Sequence, residues 1–215
     1  MKTQLLPILL LVLVCSASCE SEQTRKDRLA VEDRQRIELQ QQLKERQYAE
    51  TLRLEDDRRE QEKQAEADRL AAETYNKYIS NSLNTGATPY SENYGTNNIC
   101  NDYGCSQIKV ETSNSDVLVT IKKNHVVVRH AFIRAGDGYT FSFPNGTYQA
   151  FFYYGKGWNP EKQMKNGKLK GGFISSEEFG KDEPQTLANN VLKYELLLQQ
   201  NGNFSTSPSN PEEAL

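Results

Sequence analysis

Residues 55–64 read EDDRREQEKQ, ten consecutive positions without an apolar side chain. They lie within residues 20–83, which hold sixteen acidic side chains, thirteen basic side chains and eight glutamines, and neither glycine nor proline. Charged residues and glutamine favour a helix, whereas glycine and proline are the residues that interrupt one. The composition therefore predicts a long, exposed helical arm, which we assign to residues 19–83.

Opposite charges one helical turn apart support this arm, each pair adding a few tenths of a kcal/mol. The pairs are Glu32 with Arg36, Arg53 with Asp57, Glu55 with Arg59, and Arg58 with Glu62. The candidate seam of a coiled coil is Leu29, Ile37, Leu39, Leu43, Leu52, Leu54, Leu70 and Ile79. Because residues 55–64 break that seam for more than one heptad, a solvated rod is the favoured interpretation. A weak or partial coiled coil, which would make a homo-oligomer through the arm, is the alternative.

The first eighteen residues have the form of an export signal. Lys2 is followed by a ten-residue apolar run, Leu5–Val14, which is too short to span a bilayer as a helix. Small residues then precede Cys19, and this pattern resembles the lipobox of bacterial lipoproteins, in which the cysteine is lipidated and becomes the mature N-terminus. The resemblance implies a protein anchored to a membrane of the cell envelope through Cys19. Ser16 stands where that family prefers an aliphatic residue, so ordinary cleavage after Ser18, giving a secreted or periplasmic soluble protein, stays open.

Two further cysteines predict a disulfide. Cys100 and Cys105 enclose four residues that include Gly104, and a disulfide agrees with export. Half of a zinc site is the competing interpretation, but His125 and His130 have no usual ligand spacing with the cysteines. We expect no metal, and the bridge should fix the start of the folded domain.

Residues 84–104 read as a linker, rich in Asn, Ser, Thr, Gly and Tyr. Tyr90, Tyr94 and Tyr103 are spaced through it. Such rings can stack on sugars or bases, but the favoured interpretation is that they dock the linker onto the neighbouring domain.

In residues 105–205 apolar and polar side chains alternate with a period of two, which predicts strands. Val117, Val119 and Ile121 begin the pattern, a turn is expected at Lys123–Asn124, and Asn145–Gly146 between two alternating runs predicts a hairpin. Six or seven short strands predict an antiparallel β-sandwich, with a small open barrel as the alternative. The predicted fold class is thus α+β in segregated parts, a long N-terminal helix followed by a sandwich, and residues 206–215 are predicted to be a disordered tail.

One segment of the β-domain is a candidate ligand site. The chain's sole tryptophan lies in a glycine-rich turn after an aromatic strand, and lysines follow it. A flat ring beside cationic donors suits a glycan, an anionic polymer or a partner loop. The candidate ligand-binding residues are Tyr153, Tyr154, Lys156, Trp158 and Asn159. The favoured interpretation, however, is that Trp158 packs over one end of the sandwich while the lysines keep a loop soluble.

No catalytic constellation is recognisable in the sequence. Two acidic pairs, Glu177–Glu178 and Asp182–Glu183, are the only suspects for a hydrolase, and adjacency does not show two carboxyls facing across a substrate. We find no Walker loop, dinucleotide fingerprint, calcium loop or metalloprotease helix, so no cofactor is expected. The near balance of acidic and basic side chains along the helical arm argues against nucleic acid as a partner, since a nucleic-acid-binding helix needs a basic face.

The segment Gly146–Tyr148 together with Phe151–Pro160 resembles small exported β-domains of bacterial envelope lipoproteins without an assigned activity. The resemblance covers about the C-terminal half and implies class and location only. Three functions follow, in this order: a non-catalytic anchored protein whose arm presents a domain to a glycan or envelope protein; an assembly subunit that binds a partner through its arm; and a hydrolase with an unrecognised acidic site.

Overall fold

The computed structural model describes residues 21–101, 104–196 and 207–215. The expected signal peptide and Cys19 lie outside these ranges, and so does Tyr103. The chain divides into two compact units, Met1–Ala65 and Glu66–Leu215.

Helix α1 extends from Glu22 to Tyr78. It begins at Ser21, whose Oγ accepts a hydrogen bond from the Thr24 N–H at 3.2 Å and so caps the first turn. Every described residue of the first unit is exposed, and the apolar side chains of α1 do not gather on one face. The prediction of a long N-terminal helix is confirmed.

Ion pairs run along α1, at a spacing that differs in part from the predicted one. Arg58 and Glu62 pair at 3.3 Å, as predicted. Arg36 pairs with Asp33 instead of Glu32. The reason is that residues three and four positions apart are both neighbours on a helix surface. All these side chains are exposed, so each pair contributes little to stability.

The second unit contains the end of α1 and the β-domain. The helix ends five residues before the predicted boundary, because Asn81 bonds to a strand instead of continuing it. The Trp158 N–H donates to the Asn81 carbonyl at 2.8 Å, and Asn81 Nδ2 donates to the Trp158 carbonyl at 2.6 Å. This pair of hydrogen bonds ties the chain just after α1 to the domain.

Nine strands and two short helices follow in the described part of the chain. The strands are β1 Cys105–Thr112, β2 Asp116–Lys123, β3 Val126–Ile133, β4 Gly138–Pro144, β5 Gly146–Met164, β6 Leu169–Lys181, β7 Gln185–Leu187, β8 Val191–Leu196 and β9 Ser207–Pro208. The helices are α2 Ser91–Tyr94 and α3 Pro211–Ala214.

The strands form two sheets. The smaller has the order β4-β1-β8, and the larger has the order β3-β2-β5-β6-β9 with β7 also paired to β5. All pairs are antiparallel except β1 with β8, which is parallel. Side chains from both sheets meet in one inner core, so the architecture is the predicted sandwich. Its aromatic and aliphatic members include Ile108, Val119, Phe141, Phe152 and Tyr154.

The larger sheet also has a buried outer face. A second apolar cluster covers it, here called the outer cluster: Tyr90, Leu118, Phe132, Phe151, Tyr153, Trp158, Met164, Leu169, Phe173, Ala214 and Leu215. Strand β2 is covered on both faces, by the inner core and by the outer cluster, and its positions from Val117 to Lys122 are all buried. A strand covered on both faces loses the one-sided burial of a surface strand.

Two of the predicted turns are corrected. Asn145–Gly146 does not close a hairpin: β4 pairs in the smaller sheet and β5 in the larger, so these residues cross between sheets. The Asn145 side chain fixes this corner through Ser106 Oγ at 2.7 Å and the Asn189 N–H at 2.9 Å. The β2–β3 turn lies at Asn124–His125, both with positive φ, one residue later than predicted.

The predicted disorder of residues 206–215 does not hold for residues 207–215. Helix α3 is capped by Asn210, whose side chain accepts the Glu213 N–H at 2.9 Å. Ala214 and Leu215 are buried in the outer cluster. A polar, proline-containing sequence suggested disorder, but its last two residues cover an apolar sheet face formed by strands distant in sequence.

Candidate functional site

The predicted ligand segment lies in the long β5–β6 hairpin, where the pairing shifts register between Tyr154 and Lys156. The two tyrosines before the shift point to opposite faces of the larger sheet. Tyr154 belongs to the inner core and Tyr153 to the outer cluster. Neither ring is available to a ligand in this conformation.

The Trp158 side chain is buried in the outer cluster. This side chain is 2% exposed, and its ring meets Phe173 edge-on at 5.2 Å and Phe132 at 5.5 Å between centroids. The Tyr90 ring lies 6.3 Å away. Of the five predicted ligand-binding residues only Lys156 is exposed. The packing interpretation therefore describes Trp158, and these five residues do not form an exposed stacking surface.

The glycines of this segment serve the same packing. A Cβ on Gly155 would lie 2.3 Å from Phe173, and one on Gly171 would lie 2.7 Å from the Trp158 ring. Gly157, with φ +71°, would bring a Cβ within 2.7 Å of the Tyr78 carbonyl oxygen. They leave room for the chain's own aromatic rings and for the end of α1.

An open groove lies beside this segment, within the second unit. One side is the last part of α1, with Leu70 and Tyr75, and the other is the hairpin, with Asn159, Lys162 and Ile174. Its volume is about 660 Å³. Tyr75 is 46% exposed and Leu70 is 50% exposed. We call this the junction groove. It combines an accessible aromatic ring with polar groups, which the predicted five residues do not.

A hydrogen-bonded network forms the polar wall of the junction groove. Lys162 Nζ binds Glu177 and also the Phe173 carbonyl, the latter at 2.6 Å. Tyr153 donates to the same Glu177 carboxylate and accepts the Phe173 N–H at 2.8 Å. Burial and then the Glu177 hydrogen bond raise the pKa of Tyr153, so this phenol stays protonated. The network fixes Lys162 in position with its charge balanced.

The two acidic pairs are held by different parts of the domain. Glu177 belongs to the network just described, while Glu178 is exposed. Asp182 accepts hydrogen bonds from the Tyr194 hydroxyl at 2.7 Å and from Gln185 Nε2 at 3.3 Å. Burial and this hydrogen bond to Asp182 raise the pKa of Tyr194. Each engaged carboxylate has its own structural role, and within the part of the chain that the structure describes no hydrogen bond joins one pair to the other.

His130 lies on β3 and contacts the Tyr90 and Tyr94 rings. Its side chain is 0% exposed, and its Nε2 accepts the Tyr90 N–H at 3.1 Å. The Tyr90 ring stacks on it at 6.0 Å and the Tyr94 ring meets it edge-on at 5.8 Å. Burial lowers its pKa to about 4, opposed only by the backbone of Thr88. Alternation along β3 identifies an inward histidine, but not the segment that covers it.

Cys100 and Cys105 form the predicted disulfide, with Cα atoms 5.9 Å apart. Next to it, the Cys100 N–H donates to Ser142 Oγ at 3.1 Å, which fastens the chain to β4 before β1 begins. Within the residues that the structure describes, no three His, Cys, Asp or Glu side chains come together as a metal site would require. Over the same residues no helix has the length and apolar character needed to cross a bilayer.

Comparison with known proteins gives no relative: no family model, curated protein or solved structure matches this chain.

Proposed function

We propose that this chain is an exported protein of the cell envelope, anchored by a lipid on Cys19, in which α1 acts as a spacer and the β-domain binds a ligand. The observation that carries the proposal is that α1 has 57 residues and none of them is buried. A helix that packs on its own domain has an apolar stripe, and α1 has none. Its charge, its ion pairs and its cap stabilise it in water.

The length of α1 suits a spacer. At about 1.5 Å per residue, a straight helix of this length measures roughly 85 Å. Glu22 lies three residues after Cys19, so an acyl anchor there would be followed almost at once by helix. Several acyl chains hold a protein on a membrane without any spanning segment.

The anchor is tested by intact-mass analysis of the membrane fraction. The expected species lacks residues 1–18 and carries acyl chains on Cys19. The variant Cys19→Ser should move to the soluble fraction, while the matched Cys15→Ser variant should stay with the membrane. An unmodified Cys19 in a soluble mature protein would contradict the anchor and favour ordinary cleavage after Ser18.

The junction groove is the ligand surface we propose for the β-domain. Tyr75 offers an accessible ring for stacking on a sugar, and Asn159 and Lys162 border it with an amide and a cation. The groove is lined mainly by apolar side chains with few polar groups, which is the usual composition of a ligand site. A glycan of the envelope is the ligand class that suits this combination.

Binding is tested with soluble envelope glycans by titration calorimetry. Tyr75→Ala should abolish binding, whereas Tyr48→Ala should leave it unchanged, because Tyr48 is an exposed tyrosine of the first unit. Equal loss in both variants, or none in either, would remove the groove from the account.

A second function, assembly through the helix, is favoured by one observation. Several leucines and an isoleucine of α1 are exposed: Leu29, Ile37, Leu39, Leu43, Leu52 and Leu54. Exposed aliphatic side chains of this number can seat a partner helix. Deleting residues 26–61 removes about ten turns and so preserves the helical phase. Loss of a co-purifying complex in that variant, with glycan binding intact, would favour assembly over the spacer.

A further inference from the structure

Part of the chain between α1 and β1 covers the larger sheet as an additional layer. We define the connecting segment as residues 81–97. It bonds to the free edge of β3 as a strand would: the Gly86 N–H donates to the Phe132 carbonyl and the Phe132 N–H donates to the Ala87 carbonyl, both at 2.8 Å. Further on, Asn97 takes the His130 N–H at 3.2 Å and donates to the His130 carbonyl at 2.9 Å. An edge that would otherwise be open is thereby covered.

Tyr90 is the anchor of the connecting segment. Its ring is 1% exposed within the outer cluster, and its hydroxyl donates to the Gly171 carbonyl at 2.7 Å. Its backbone N–H donates to His130 Nε2. A main-chain N–H cannot accept, so Nε2 must be unprotonated and the proton of the neutral ring lies on Nδ1. The attachment of Tyr90 thus requires a neutral His130.

A second proton would convert this contact from attraction to repulsion. Protonated Nε2 would direct its N–H at the Tyr90 N–H, 3.1 Å away from nitrogen to nitrogen. Nδ1 makes no hydrogen bond of good geometry among the described residues, and the Thr88 backbone, which favours the charged ring, offsets only part of the cost of burial. A charge buried without a partner costs several kcal/mol.

The groups around this histidine do not offset that charge. The connecting segment contributes Tyr90 and Tyr94, whose pKa values are both raised by burial, so they stay neutral. Strand β2 contributes Lys122, whose pKa is lowered by burial and by Lys165. Glu177 acts on Tyr90, and the hairpin holds it in its pair with Lys162. Glu213 acts on Lys122 and is itself paired with Lys181. The surroundings therefore contribute neutral tyrosines and a cation, and both acids are already paired.

We propose that His130 is an acid-sensitive latch: protonation of its ring releases the connecting segment from the larger sheet and uncovers the outer cluster. The released segment is the one that joins α1 to the β-domain, so the latch controls how firmly the two are coupled. It also uncovers the apolar surface around Trp158, which Tyr90 covers in the closed state.

The sole tryptophan makes this release measurable. We would follow Trp158 emission and its quenching by acrylamide in the full chain from pH 7.5 to pH 3.5, with far-ultraviolet circular dichroism on the same samples. The expected result is a reversible red shift and a gain in quenching on acidification, while the sheet signal is retained.

Variants at the two histidines provide the matched comparison. In His130→Gln the amide oxygen can accept the Tyr90 N–H at every pH, so the transition should disappear. In His125→Gln the transition should remain, because His125 is exposed at a turn. The same transition in His130→Gln as in the native chain would overturn the proposal, as would loss of the sheet signal at the same pH as the fluorescence change.

If His130→Gln does not fold, nuclear magnetic resonance of the native chain decides. The His130 ring should titrate together with loss of protection at the Gly86 and Phe132 amides, which bond the connecting segment to β3. Titration of the ring with those amides still protected would overturn the latch.

Discussion

Replacing Trp158 by alanine should destabilise the β-domain strongly, because the ring is part of its packing. A buried tryptophan removes about 200 Å² from water, which at about 25 cal/mol per Å² corresponds to roughly 5 kcal/mol as an upper bound. Measured truncations of large aromatic residues fall at about 3–5 kcal/mol. We therefore expect Trp158→Ala to lower the free energy of unfolding by about 3–5 kcal/mol.

The assay is urea unfolding followed by circular dichroism, since the variant lacks the fluorophore. Trp158→Phe keeps a ring against Phe173 and should lose less than Trp158→Ala. Tyr75→Ala, at an exposed ring of the junction groove, is the control and should change stability by no more than about 0.5 kcal/mol, as exposed substitutions usually do. A loss below about 1 kcal/mol in Trp158→Ala would refute the packing and return Trp158 to the list of ligand contacts.

Three further predictions concern other parts of the domain. First, the free energy of unfolding should fall as pH falls from about 6.5 to about 4, because in that window His130 is protonated in the unfolded chain and neutral in the folded chain. The loss is at most about 3 kcal/mol and should be absent in His130→Gln. Urea unfolding at several pH values measures it. A flat profile would contradict it. Second, Gly155→Ala should destabilise far more than Gly138→Ala, since the new Cβ would lie 2.3 Å from Phe173 in one and 3.2 Å from the flexible Glu111 side chain in the other; equal thermal midpoints would show that the hairpin adjusts without cost. Third, Leu215→Ala should cost about 2–5 kcal/mol, because Leu215 is buried in the outer cluster, and an unchanged urea midpoint would mean that α3 does not cover the sheet.

Local rules sufficed for the helix. Residues 55–64 and their neighbours carry propensity, charge spacing and the absence of breakers in the sequence itself, and α1 follows them from Glu22 to Tyr78. The alternation at Val117, Val119 and Ile121 likewise predicted β2 and the inner face of the sandwich, since the period of two depends on backbone geometry alone.

The predictions that failed depended on contacts distant in sequence. Asn145–Gly146 has the composition of a hairpin turn, but whether its flanking strands pair is decided by β1 and β2, which take different partners. For Trp158 the sequence favoured packing, but it did not identify Tyr90, nearly seventy residues earlier, as the ring that covers it. Leu215 is ordered because a sheet face exists for it to cover.

The sequence predicted which segment of the chain borders the candidate site, but not which side chains are exposed in it. Asn159 does border the junction groove, but the ring that is exposed there is Tyr75, which lies within the range assigned to the helical arm and was not singled out. The sequence favoured docking of the linker tyrosines onto the domain, and Tyr90 and Tyr94 do pack there. It did not identify His130 as the group that Tyr90 contacts.

The central claim is that α1, over the residues of the first unit, is stabilised by its own sequence and stands in water without a packing partner. Hydrogen exchange of the full chain, followed by mass spectrometry at two protein concentrations tenfold apart, tests it most directly. We predict that amides of residues 26–62 exchange far faster than those of β2 and β5, at the same rate at both concentrations. Protection of these helical amides equal to that of the two strands, or protection that rises with concentration, would contradict the claim.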